Sequence, residues 1–167
     1  MLASVCPKNA MSLTPDWLPN LHPIVVHFPI GLLPAAALVD LLGLFSPRRR
    51  TFRNTATWLY LTGTAFALLA YVSGRAGADA MTLAPVVEPL VHTHENWAFR
   101  TTWFFAFFVS LRLAVSYIFP PRPVILLVAF VLAVSGLVML VETADRGAAL
   151  VYQYGLGVTG AFSAPHH

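Results

Sequence analysis

Four long apolar blocks divide the chain: His22–Phe45 (HPIVVHFPIGLLPAAALVDLLGLF), Ala56–Val72, Trp97–Phe119 and Val124–Val141. Polar residues gather between the blocks and do not recur inside them at the 3.6 or 2 spacing of a half-buried helix or strand. A helix needs ~20 apolar residues to cross a bilayer, with a range of roughly 17–25. Each block therefore predicts one crossing. The reading is an all-α integral membrane four-helix bundle over residues 22–141, with spans at about 22–45, 56–72, 97–119 and 124–141. Tails of residues 1–21 and 142–167 flank it. The link Ser73–Asn96 is expected to be broken up by Gly74, Gly77, Pro85 and Pro89. The tail from Glu142, rich in glycine, is expected to fold back over the outer face. The two pairs of spans do not resemble each other, so no internal repeat is expected.

Charge orients the bundle. Arg48, Arg49, Arg50 and Arg53 occupy the first link, and Arg112 and Arg122 flank the third. The opposite ends carry Lys8, Arg75, Arg100 and Arg146 among Asp16, Asp79, Glu88, Glu95, Glu142 and Asp145. By the positive-inside rule both arginine-bearing links lie in the cytoplasm and both termini outside. Trp17, Tyr71, Trp97 and Tyr152 fit an outer aromatic belt, Trp58 and Tyr117 an inner one. With 57% hydrophobic and 10% charged residues, against roughly 25% charged in soluble domains, a soluble enzyme and a disordered chain are excluded. A single cysteine, Cys6, closes no internal disulfide. The net charge of +3 is too small to argue for nucleic acid. No apolar signal-peptide core is visible in the first twenty residues, and Met11 is an alternative start.

Within the spans, small residues four apart (Gly31 with Ala35, Gly63 with Ala67, Ala70 with Gly74, Ala129 with Ala133) predict close helix packing. The third span is ringed by Trp103, Phe104, Phe105, Phe107 and Phe108, a surface for lipid, a pigment or a partner helix. Pro29 and Pro34 each free a carbonyl one turn earlier in span one. Asp40 is expected to reach Arg48 or Arg53, and Arg100 to reach Glu95 or Glu142. No nucleophile elbow, phosphate loop or paired carboxylates lie on the spans, so no enzymatic activity is expected.

All six histidines fall toward the outer face. His22 and His27 are about 140° apart on a helix, and His92 and His94 about 200°, so at most one of each pair turns inward. His27 and His94 are the favoured pair, because Gly31 and Ala98 leave clearance one turn further in. Spans one and three are diagonal neighbours in an up-down bundle, and one imidazole from each suits a b-type haem. Depth opposes this pairing, because His94 lies about six residues, roughly 9 Å, further out than His27. A second option is copper or zinc on His92 and His94 in a strand-like His-x-His, with His22 as a further ligand. The third is interfacial histidine bonded to loop carbonyls.

These residues carry a resemblance. The run His22-Pro23-Ile24-Val25-Val26-His27-Phe28-Pro29 resembles the HP-x-x-V-H-F-P signature of a bacterial four-helix inner-membrane family of unknown function. His94 resembles that family's histidine before span three. Gly147 to Val158 is similar to its tail motif G-x-x-LVY-x-H-G-x-G-V, with Tyr154 where the family has histidine. The resemblance implies haem binding or a place in respiratory electron transfer, with Tyr154 in the position of a lost or replaced ligand.

The leading expectation is a non-catalytic accessory subunit of a larger inner-membrane energy-converting complex, respiratory or photosynthetic. It would contact lipid and other integral membrane subunits, pigment-bearing ones included, and hold either no cofactor or heme b. The alternative is a b-type haem electron carrier ligated by His27 and His94, and the next a periplasmic-face copper or zinc binder.

Overall fold

The computed structural model describes residues 21–120 and 122–157, and within them every regular element is a helix. The expectations for Cys6, Met11, Trp17, His166 and His167 lie outside the described residues. The helices are α1 (His22–Val25), α2 (His27–Phe45), α3 (Arg49–Asp79), α4 (Glu88–Ile118) and α5 (Pro123–Tyr152). α1 and α2 act as one span. Val26 between them keeps helical angles (φ −62°, ψ −24°), and its N–H bonds the His22 carbonyl at 3.1 Å. The interruption has a local cause: Pro29 offers no N–H to the Val25 carbonyl, where α1 ends. Pro34 lies inside α2 without ending it. The protein thus has four helices long and apolar enough to span a membrane.

Each helix packs against its neighbours in sequence, and α5 returns to α2, closing an up-down ring. α2 and α4 are therefore parallel and diagonal. The face each turns inward is legible in the sequence. In α2 it is Pro29, Leu33, Ala36, Ala37, Asp40 and Gly43, a run of threes and fours that stacks on one side of a helix. In α3 it includes Ala56, Tyr60, Gly63, Ala67 and Ala70.

Small residues bring backbones together where expected, with one exception. A Cβ on Gly63 would lie 2.8 Å from Leu33 Cδ2, so α2 and α3 touch through the missing side chain. Gly31 and Ala35 face away from the bundle, and nothing lies within 4 Å of where a Gly31 Cβ would be. The aromatic third span is divided. Phe105 and Phe108 fill the bundle core with Tyr60, the Tyr60–Phe108 pair edge-on at 5.0 Å. Phe104 and Phe105 press on Gly136 of α5. Trp103 and Phe107 stay outside. Much of that aromatic surface is therefore internal packing, not a contact surface.

The helices run further than the apolar blocks. At 31 residues α3 and α4 are each about 46 Å long, beyond the ~30 Å hydrocarbon thickness. The expected long link shrinks to residues 80–87. Gly74 and Gly77 remain helical, because packing outweighs a propensity cost of roughly 1 kcal/mol. α5 continues past Glu142 to Tyr152 instead of folding back. It stops at a left-handed glycine: Gly155 has φ +64° and its N–H bonds the Val151 carbonyl at 3.0 Å. Leu156 then packs back on Val87, Val91 and Leu150.

The two glycine environments predict opposite substitution effects. Gly136→Ala would place a Cβ 2.6–2.7 Å from the Phe104 and Phe105 rings, and is expected to destabilise by about 1–3 kcal/mol. Gly31→Ala, facing open space, is expected to be neutral or to stabilise by up to about 1 kcal/mol. Thermal unfolding in detergent distinguishes them; equal losses would contradict the packing described.

Candidate functional site

Two polar rungs cross the diagonal between α1–α2 and α4. At the arginine-bearing end, the Arg112 guanidinium grips the Asp40 carboxylate in a fork, Nη1 to Oδ2 at 2.7 Å and Nη2 to Oδ1 at 2.6 Å. Both side chains are buried, at 4% and 0% exposure. Two of the fork's other donors are also used. Nε donates to Thr57 Oγ1 at 2.8 Å, and Nη2 to the Arg53 carbonyl at 3.1 Å. The Thr57 hydroxyl in turn donates to that same carbonyl. The Tyr60 ring lies under the guanidinium, 5.2 Å from its carbon. This corrects the expectation that Asp40 pairs with Arg48 or Arg53. Arg112, one turn and a half inside the end of α4, turns into the bundle instead of outward to the headgroups.

At the other end, His22 of α1 and His94 of α4 turn inward, near enough for a charge on one ring to act on the other. Their settings match. His22 Nδ1 lies 2.8 Å from the Ala70 carbonyl of α3, and His94 Nδ1 lies 3.1 Å from the Thr143 carbonyl of α5. A carbonyl only accepts, so each Nδ1 carries a proton and donates it there. Each ring also rests on a glycine one turn beyond its carbonyl. A Cβ on Gly74 would lie 2.8 Å from His22 Cε1, and one on Gly147 2.9 Å from His94 Cε1. Thr101 of α4 holds the Thr143 hydroxyl at 2.8 Å, pinning α4 to α5 beside His94.

The rungs are in register. His22 precedes Asp40 by 18 residues and His94 precedes Arg112 by 18, so on parallel helices the two histidines lie at one depth, about 27 Å from the ion pair. A shift of 72 residues carries His22 onto His94 and Asp40 onto Arg112; a shift of 73 carries Ala70 onto Thr143 and Gly74 onto Gly147. These four correspondences give the two helix pairs the same arrangement of site positions. The depth objection to a His27–His94 pair therefore holds, and it does not apply to His22. His22 lies five residues further out than His27, which matches His94.

The remaining candidates are placed apart. His27 is exposed on α2, so the inward histidine of that pair is His22, the reverse of the expectation. His92 is exposed on α4, facing Glu88 and Glu95 at 4.0 and 3.6 Å. The helix starting at Glu88 turns His92 and His94 to different sides, so the strand-like His-x-His geometry does not form. Among the described residues no group of three or more His, Cys, Asp or Glu side chains is placed to hold a metal ion. Ala98 is half-buried one turn inward of His94, while Gly31 is exposed. Tyr154 is 44% exposed beyond the end of α5, seven residues or about 10 Å past Gly147. Arg100 meets neither Glu95 nor Glu142 in an ion pair: its guanidinium lies 5.9 Å from the Trp97 ring, while Arg75 holds Glu95 and Arg146 holds Glu142.

Sequence reasoning missed Ala70, Thr143, Gly74, Gly147, Thr57 and the inward turn of Arg112. The signal that finds them is the equal 18-residue spacing, together with a glycine four residues after each accepting carbonyl. Because the Arg112 fork uses three nitrogens at once, Arg112→Lys keeps the charge and loses the geometry. It is expected to lower stability by at least about 2 kcal/mol, measured by unfolding in detergent. An unchanged midpoint would show that charge alone suffices.

No curated protein and no solved structure matches this chain. The family model described as "Predicted membrane protein (DUF2231)" matches residues 18–160. The bundle, its paired histidines and its buried ion pair are thus those of a member of the DUF2231 membrane-protein family, to which this chain belongs.

Proposed function

We propose that the protein binds a haem-type group between His22 and His94 and serves as a small membrane electron carrier. The observation that supports this most is the pair itself: two imidazoles on diagonal helices at one depth, each fixed as the Nδ1–H tautomer by a backbone carbonyl. That second bond is how ligating histidines are oriented and made more basic. The donor set fits haem better than a bare ion. Zinc takes four protein or water ligands, whereas His22 and His94 are two, a number that would suffice to hold haem iron. When bound, such a group supplies one-electron transfer. The protein's own residues hold the two rings. Gly74 and Gly147 admit them, Ala70 and Thr143 set their tautomer, and Thr101 keeps α5 against α4.

Orientation follows from charge. Arg48, Arg49, Arg50, Arg53 and Arg122 all lie at one end, which supports placing that end in the cytoplasm and the histidines at the periplasmic face of an inner membrane.

Protein purified from its native membranes in mild detergent is expected to show a Soret band that sharpens on dithionite reduction, at about one haem per chain. His22→Ala and His94→Ala are expected to abolish it, and His27→Ala to leave it intact. A wild-type protein that stays colourless with added haem would overturn the proposal. So would a band that survives loss of His22 and His94 but not of His27.

A second reading, an accessory subunit of a larger membrane complex, is favoured by the outward rings of Phe99, Trp103 and Phe107 along α4, which are 47%, 55% and 69% exposed. Stoichiometric co-purification of other membrane subunits, lost on Trp103→Ala with Phe107→Ala, is the result it expects. A monodisperse monomer in mild detergent would count against it.

A further inference from the structure

The arginine-bearing end holds a second built feature, one that the ion pair does not use. A groove of ≈ 600 Å³ opens between α4 and α5, walled by Leu111, Val115, Ile125 and Val128. Arg53, Arg112 and Arg122 also line it. Arg53 reaches into an adjoining cavity of ≈ 380 Å³ as well, beside Arg50 and Tyr117. Arg112 is committed to Asp40, but Arg53 is not matched by an acid. It is 7% exposed, its Nη1 donates to the Phe119 carbonyl at 3.2 Å, and its buried Nε has no hydrogen-bond partner among the described residues. The charges acting on it are those of Arg50 and Arg112, both cations. Among the described residues Asp40 is the acid at this end, and both its oxygens are taken by Arg112.

A buried cation with an unanswered donor is costly unless an anion meets it. What lies beside it is an apolar channel running along two transmembrane helices. We propose that this groove binds one anionic phospholipid, its phosphate at Arg53, Arg50 and Arg122 and an acyl chain along the α4–α5 groove. Basic pockets between membrane helices at the leaflet surface recognise such headgroups by charge and position. The occupant must carry both properties. A free anion leaves the channel unfilled, and a zwitterionic lipid brings a cation of its own beside the arginines.

The test is native mass spectrometry of the full chain in mild detergent, titrated with phosphatidylglycerol, with phosphatidylcholine of the same chains, and with inorganic phosphate. One phosphatidylglycerol is expected to bind in preference to phosphatidylcholine. Arg122→Gln is expected to weaken it about fivefold, the effect of one surface arginine. Arg53→Gln is expected to weaken it more. Because Arg53 also holds the end of α4, Val128→Trp serves as the second variant, filling the groove without touching charge, and it too is expected to reduce phosphatidylglycerol binding. Equal binding of the two lipids would overturn the proposal, as would Arg122→Gln and Val128→Trp both binding like wild type. Displacement of phosphatidylglycerol by inorganic phosphate, with Val128→Trp without effect, would make the site one for a free anion and overturn it equally.

Discussion

The fork between Arg112 and Asp40 is the constraint on which the rest of the bundle depends. In water two such charges would be hydrated. Inside a membrane protein they must find each other and satisfy every remaining donor. Asp40 offers two oxygens and Arg112 a planar set of N–H groups, so only one mutual placement of α2 and α4 works. The Arg53 carbonyl and Thr57 bring α3 into the same placement. Lipid-facing helices have little hydrophobic drive to associate, and small residues such as Gly63 and Gly136 set how close they come, not their register. The ion pair sets the register.

Register is also what assembles the other end. With α2 and α4 fixed at Asp40 and Arg112, their equal 18-residue arms deliver His22 and His94 to one level. The helices between them, α3 and α5, repeat one device: a carbonyl to take the imidazole N–H and a glycine four residues later to seat the ring. The site is thus held by two helix pairs that place polar and glycine positions in the same way. The one-residue break at Val26 belongs to this design. Pro29 ends the regular helix immediately inward of the histidine.

Much of the architecture was legible in the sequence, because apolar block length answers directly to bilayer thickness. Four spanning helices follow from it, and so does the parallel diagonal of the first and third. The helix ends were not legible. Gly74 reads as a breaker of the link as well as a packing position beside Ala70, and Gly147 only as part of a glycine-rich tail, yet each is demanded by a ring packed from another helix. The choice between His22 and His27 failed for a related reason. It was made on local clearance at Gly31, and Gly31 faces out, whereas the deciding quantity was the distance to a charge 18 residues along. Asp40 was singled out, but its partner was sought among nearby arginines in the chain, and the true partner lies 72 residues away. Spacing between polar residues on separate spans carries more of this fold than any single motif.

The most direct test is a double-mutant cycle on that pair, using Asp40→Leu and Arg112→Met and unfolding in detergent. Each single change strands a buried charge and is expected to cost roughly 3–5 kcal/mol. The double change removes both charges and is expected to cost no more than the worse single one, a coupling of several kcal/mol. Additive losses would mean that the two residues contribute independently, and that something other than their bond holds α2 and α4 in register.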